Sequence, residues 1–372
     1  MIKYIPIAAA ALILLGLSIL FSGCYTLKQG AVMLGYLGRA VPLDSLAADT
    51  GSALPPDGSE KPGGEMPEAG GENRRFVERV RDIRRFAMEE LGLKESANYT
   101  RYVELDRSYI AAVVSAAAQD SFTRYEWWFP VVGKVPYKGF FNVEDARKER
   151  DKLRKKGLDV WVRQVDAFST LGWFKDPLYS YMRDYSDYQL ADLLIHELLH
   201  ATVYLKDRSQ FNEELAEFVG TEGARIYIEK KYGGDSPQYR EIFDSEADSA
   251  VYIGFLHELI GELDGLYKSG LDREETLARK EEIIRLNKER FVRDYEGRFR
   301  SESYRDFIRR FAELPVNNAY LELYRLYFAD NRFYRDLYER SGGDLPKFIA
   351  AAKTLKKGRE DPKRQLERAL GF

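Results

Sequence analysis

Cysteine and histidine are scarce in this chain of 372 residues, which has one Cys and three His. A single cysteine excludes an internal disulfide framework and a cysteine-rich zinc module. A basic excess is missing as well. Lys and Arg number 57 against 60 Asp and Glu, a formal charge of −3 with both signs interspersed. A nucleic-acid surface needs clustered positive charge, so no nucleic-acid partner is expected. Apolar material is plentiful: 45% of residues are hydrophobic, with 25 Tyr and 21 Phe, enough for a packed core. With so few histidines, imidazole chemistry is confined to a few positions, and where they stand matters.

Residues 1–23 read as a secretory signal. Lys3 is their only charge, and an apolar run from Tyr4 to Phe21 follows it. The exit, Leu20-Phe21-Ser22-Gly23-Cys24, resembles the bacterial lipobox, with Phe21 in place of the usual Leu. That resemblance implies cleavage before Cys24 and acylation of the cysteine, so that a lipid anchor ties the rest to a membrane of the cell envelope. The competing reading is an uncleaved apolar anchor. Tyr25 after the cysteine, where Asp is absent, points by analogy to the outer membrane, facing the periplasm.

Residues 24–48 alternate weakly and suggest a short helix near the anchor. Residues 49–73 are rich in Gly and Pro, lack aromatics and hold Leu54 as their single branched aliphatic, as a flexible tether does. From Arg74 the composition is globular. Phe76, Val80, Ile83, Phe86 and Leu91 fall at helical spacing. Strand-like runs follow near 102–105, 111–116, 126–132 and 159–165, with a charged helix at 143–156 before the last. From about 187 onward apolar stripes recur at helical spacing, at 241–268, 274–313 and 318–339. The Gly233-Gly234 pair and Pro237 suggest a boundary between a lobe at 74–235 and a helical lobe at 236–372. The expected class is α+β with an excess of helix.

Two of the three histidines stand in His196-Glu197-Leu198-Leu199-His200. On a helix, residues four apart project from one face, so both imidazoles can grip one ion. Glu197, about 100° away, borders that face and can take a proton from water activated there. Ser186 with Gln189 fits a capping box that would start the helix. Its remaining residues are apolar nearly all round, so it should be buried, and buried imidazoles and a carboxylate need a compensating metal. A third ligand is required. Downstream, Phe211-Asn212-Glu213-Glu214-Leu215-Ala216-Glu217 begins another helix. Glu213, Glu214 and Glu217 are all candidates, and Ala216 and Gly220 are small enough for close helix packing.

Asn-Glu-x-x-Ala-Glu resembles the Asn-Glu-x-x-Ser-Asp element of thermolysin-like gluzincins. The match implies Glu213 as third ligand, and Glu217 as an acid that hydrogen-bonds a ligand histidine and orients it. More broadly, GFF at 139–141, AFSTLGWFKDPL at 167–178, YSDYQLADLLIHELLHATVY at 185–204, FNEELAEFVGTEG at 211–223 and Asn317-Asn318-Ala319 resemble a bacterial family named putative aminopeptidases, within the gluzincin peptidases. The resemblance implies a two-lobed zincin fold, one Zn2+, and a peptidase acting on peptides or proteins. No Gly-Ala-Met-Glu-Asn run of the kind that recognises a free α-amine is present, so cleavage from the end or within the chain stays open. In the implied mechanism Glu197 is the general base. The strand at 159–165 is expected to align an extended peptide, and Ser169–Gly172 to line the cleft. An oxyanion donor is still to be found. His257 lies outside its helix's apolar stripe, as a surface or lobe-contact histidine does. It remains one candidate, and any of 25 tyrosines another. A binding lipoprotein without turnover and a hydrolase of cell-wall amide bonds are the competing functions.

Overall fold

The apolar periodicities that pack against one another in this chain are mostly far apart in sequence. A computed structural model describes residue 25 and residues 28–48, 68–129, 133–165, 176–295, 297–326 and 332–372. The signal segment, Cys24, residues 49–67 of the tether and Ser169–Gly172 lie outside the described residues.

In chain order the described elements are α1 (28–39), β1 (Val41–Pro42), α2 (Leu43–Ala48), α3 (Glu68–Glu89), β2 (Arg101–Val103), β3 (Ala111–Ala118), β4 (Trp127–Phe129), β5 (Gly133–Val135), β6 (Tyr137–Phe140), α4 (Val143–Arg154), β7 (Leu158–Val165) and β8 (Leu178–Tyr179). Helices follow: α5 (Asp187–Thr202), α6 (Ser209–Tyr232), α7 (Pro237–Tyr267), α8 (Arg273–Tyr295), α9 (Glu302–Phe311), α10 (Asn318–Leu326), α11 (Arg332–Arg340), α12 (Leu345–Ala352) and α13 (Pro362–Leu370). The class is helix-rich α+β with small sheets, as composition and periodicity predict. Helix α3 already includes residues 68–73, which composition assigns to the tether. The stripe expected at 274–313 is two helices, with Gly297 between them at φ 79°. No described helix is long and apolar enough to cross a membrane.

By contacts the chain forms two units, each assembled from separate segments. The first takes in the described residues up to Arg39, Tyr109–Phe168 and Ala247–Phe328. Its sheet runs β6-β3-β7, antiparallel throughout, with Val114 opposite Val162 and Lys138. β7 is therefore an edge strand among the described residues, in keeping with its alternation. Beside the sheet lies an aromatic core built on Tyr252, Phe255, Phe291 and Phe311.

The Asn317-Asn318-Ala319 element joins these parts of the first unit. Asn318 is wholly buried, and its amide donates to the carbonyls of Ala118, Gln119 and Ser121 at 2.9–3.2 Å while its oxygen accepts from Tyr267. The Asn318 backbone N–H donates to Asp159, which is paired with the buried Lys280, and Asn317 donates to the Val160 carbonyl. The two N–H groups of the Asn318 side chain are thus shared among three carbonyls at the end of β3 and in the turn after it, so the buried amide is fully bonded.

The second unit holds Ala40–Ser108, Ser169–Glu246 and the described residues from Arg332 on. A small sheet in the order β1-β2-β8 has one antiparallel and one parallel pairing. Helices α3, α5 and α6 pack on one another as a helical layer, with α11 and α12 beside α6. The break expected near 233–237 is present, since Gly233 adopts φ 89° and α7 starts at Pro237. The division between units falls later, within α7 at Glu246/Ala247.

Candidate metal centre

The site is built by two helices and the way their connection is tied. Helix α5 begins as the sequence predicts: Ser186 Oγ accepts from the Gln189 N–H at 3.2 Å, and Gln189 accepts from the Ser186 N–H at 3.0 Å. Asp187 in its first turn is anchored on both sides, by Arg79 of α3 and by Lys231 of α6, each at 2.6 Å. Leu190, Leu194, Ile195, Leu198 and Leu199 are buried, so α5 is a core helix. At the other end, the connection to α6 is clamped by Asn212. Its side chain is buried, accepting from the Leu205 N–H and donating to the Leu205 carbonyl, both at 2.9 Å. That bidentate lock sets where α6 starts, and therefore where Glu213 faces.

Close approach of the helices depends on Gly220. A Cβ there would lie 2.7 Å from Asp192 Oδ1, 3.0 Å from the Asp192 carbonyl oxygen and 3.1 Å from the His196 Cβ. Gly223, nearly a turn further on, meets only methyl ends of Leu91 and Ile195 at 3.0–3.1 Å.

These constraints bring His196, His200 and Glu213 together. The two Nε2 atoms are 3.2 Å apart, and Glu213 oxygens lie 3.6 Å from His196 Nε2 and 3.5 Å from His200 Nε2. Three ligand atoms converge on one point, each from a residue type that binds zinc. Tetrahedral zinc with bonds of about 2.0–2.1 Å sets neighbouring ligand atoms about 3.3–3.4 Å apart, so the separations fit a single ion. Two imidazole nitrogens facing each other this closely suit a shared cation better than each other. Carboxylate Glu213, facing both imidazoles, is held down at about 2, chiefly by His196 and then His200, against a smaller effect of burial. For His196, burial lowers the pKa, but Glu213, Glu197 and Asp192 outweigh it and raise the net value.

Glu197 is buried on the inner side of the pair. Burial raises its pKa, while His196 and His200 pull it back down. Behind it are two groups that sequence reasoning missed. Asp176 and Tyr99 are both buried, and the Tyr99 N–H donates to the Asp176 carbonyl at 2.7 Å. Tyr99 adopts φ 59°, a left-handed conformation costly for a residue with a ring. Its hydroxyl is pushed far up by burial first, then by Glu197 and Asp176. Asp176 lay within a run carrying the family resemblance, whereas nothing in the sequence distinguished Tyr99 from 24 other tyrosines.

Of the other acids considered, Glu214 is held by different partners. Glu214 is buried and bonded to Gln210, Tyr334 and Lys363. Glu217 is exposed one helical turn after Glu213 on α6, close enough to act on Asp192. Besides Glu197, an acid acting on His196 from its own helix is Asp192, four residues earlier, with its pKa raised by burial to about 6 and Thr221 Oγ1 at 3.4 Å. Its i, i+4, i+8 spacing with His196 and His200 was a legible signal that went unused. His257 is exposed on α7 within the first unit, and the metal-binding group does not include it.

A family model described as "Putative aminopeptidase" matches residues 25–367. The chain belongs to that family. No curated protein and no solved structure matches it. Family membership suggests peptidase activity.

Proposed function

We propose that this chain is a zinc-dependent peptidase, held by its N-terminus to a membrane of the cell envelope. The observation that carries the reading is the convergence of His196, His200 and Glu213 at separations of 3.2–3.6 Å with Glu197 buried beside them. Those three residues would hold the ion, which when bound polarises the scissile carbonyl and makes a water acidic near neutral pH. Glu197 accepts a proton from the attacking water on its carboxylate and delivers it to the nitrogen of the leaving amine as the C–N bond breaks. Burial favours the first half of this shuttle, since a carboxylate whose pKa is raised is a stronger base toward the water proton than an exposed one. Asp192, and Glu217 on the neighbouring helix, are the acids available to orient His196. A two-lobed zincin plan belongs to the same reading, as does the lipid at Cys24.

The test uses the purified chain with and without Glu197→Gln. Bound metal is measured by mass spectrometry, and both proteins are given a mixed peptide library. Near-stoichiometric zinc in both, with cleavage confined to the wild type, is the expected outcome. Zinc without cleavage of any peptide would turn the reading toward a binding protein, and cleavage of cell-wall fragments alone toward an amidase. A wild type that takes up no zinc refutes the ligand assignment.

A further inference from the structure

The residue after Cys24 is fixed against the first unit. Tyr25 donates its hydroxyl to the Gly139 carbonyl, and its ring meets Phe140 edge-on at 5.5 Å and Phe129 at 6.0 Å. Lys138 Nζ lies 4.6 Å above the same ring. In the following turn Gln29 accepts from the Phe141 N–H at 2.8 Å and Lys28 pairs with Asp145. Consecutive Cα atoms are about 3.8 Å apart, so whatever Cys24 carries begins about that far from Tyr25.

Strand alternation then divides the β4–β5 hairpin into two faces. Trp127 is buried, with its indole N–H on Glu149, and Phe129 is turned toward Tyr25. Trp128, between them, points the opposite way and is 68% exposed. Lys134 stands across from it in the antiparallel register, and Tyr137 at the start of β6 is 53% exposed. A large indole in water is a loss that a headgroup region would recover, and Trp, Tyr and Lys are the side chains suited to that zone. The charges nearby are paired, Lys134 with Glu126 and Lys28 with Asp145, so attraction to an anionic surface is not the driving term. On the far side of Cys24 lies the apolar run Tyr4–Phe21. On the anchoring reading, lipid meets the chain at this point, as acyl chains on Cys24 or as a retained apolar run.

We propose that the hairpin face carrying Trp128 and Lys134 rests on the headgroup region of the bilayer that anchors the N-terminus. The inference rests on the anchoring reading above. The full-length chain is reconstituted into phosphatidylcholine vesicles with or without brominated acyl chains, and tryptophan fluorescence is compared for wild type and Trp128→Phe. Extra quenching by brominated lipid in the wild type, lost in the variant, is the expected result. Flotation of both proteins with the vesicles is scored in parallel. Flotation with equal quenching in the two proteins overturns the hairpin contact and leaves the anchor standing. A chain that does not float removes both.

Discussion

Replacing Gly220 by Ala tests whether the helix contact holds the metal ligands in place. Gly→Ala in an unobstructed helix interior stabilises by about 1 kcal/mol. Gly254 and Gly261 of α7 are such positions, since an added Cβ meets nothing within 4 Å. At Gly220 the new methyl meets Asp192 Oδ1 at 2.7 Å, which a side-chain rotation can relieve. It also meets the Asp192 carbonyl oxygen at 3.0 Å and the His196 Cβ at 3.1 Å, which only a movement of α5 against α6 can relieve. Overpacking of this kind costs about 1–3 kcal/mol, so Gly220→Ala should fall that far below the Gly254→Ala control, unchanged at best in absolute stability. Glu213 precedes Gly220 by seven residues, about 10 Å along the same rigid helix, so the shift reaches the ligand set. Denaturant midpoints and competitive zinc titration measure the two effects. Zinc affinity should drop at least several-fold in Gly220→Ala and stay at the wild-type value in Gly254→Ala. Gly223→Ala, which meets only methyl ends, should fall between them. A Gly220→Ala protein stabilised like the control, with wild-type zinc affinity, would refute the close contact as the device that sets the site.

Further expectations follow from single residues. Asn318→Ala removes a buried amide bonded to the 118–121 segment and to Tyr267 and should destabilise by about 1–3 kcal/mol, seen as a lower unfolding midpoint, whereas a surface Asn would cost little. Asp187→Asn should cost about 1–3 kcal/mol at neutral pH by leaving Arg79 and Lys231 without their carboxylate. Burial raises the Asp187 pKa but Lys231, Tyr232 and Arg79 more than reverse it, so the folded value lies below the unfolded one. Its contribution is present above about pH 4 and lost as pH falls through the folded value, so the gap between wild type and variant should close only below about pH 4 in acid titrations. Chelation of the zinc-loaded protein should lower stability by roughly 3 kcal/mol at zinc a hundredfold above its Kd, read by calorimetry, and Glu213→Ala should abolish that difference.

Much of the centre was legible because it is local. His196 and His200 are one helical turn apart, Glu197 lies between them and Ser186 caps the same helix, so a period of 3.6 residues suffices to set their mutual geometry. Glu213 was one of three acids within five residues; the gluzincin-like element pointed to it, but spacing alone could not, since that depends on which direction α6 faces. That direction depends on Asn212 gripping Leu205 and on Gly220 admitting α5. Tyr99 and Asp176 escaped notice because they are 98 and 21 residues from Glu197 and no spacing rule links them. The helix-rich class was equally readable, but the grouping into units was not. The β3–β7 segment joins the aromatic helices after residue 247 through contacts such as those of Asn318 with residues 118–121, about 200 positions away.

By itself, then, the sequence determined what is periodic or covalently adjacent: the helix that carries His196, Glu197 and His200 on neighbouring faces, the helix excess and the apolar segment before Cys24. Tertiary structure alone decided that Glu213 faces both histidines in space, what surrounds Glu197 and where Tyr25 docks. The physical reason is one of range. Backbone geometry relates residues a few positions apart, whereas burial and close packing between distant segments depend on the whole fold and leave no local trace.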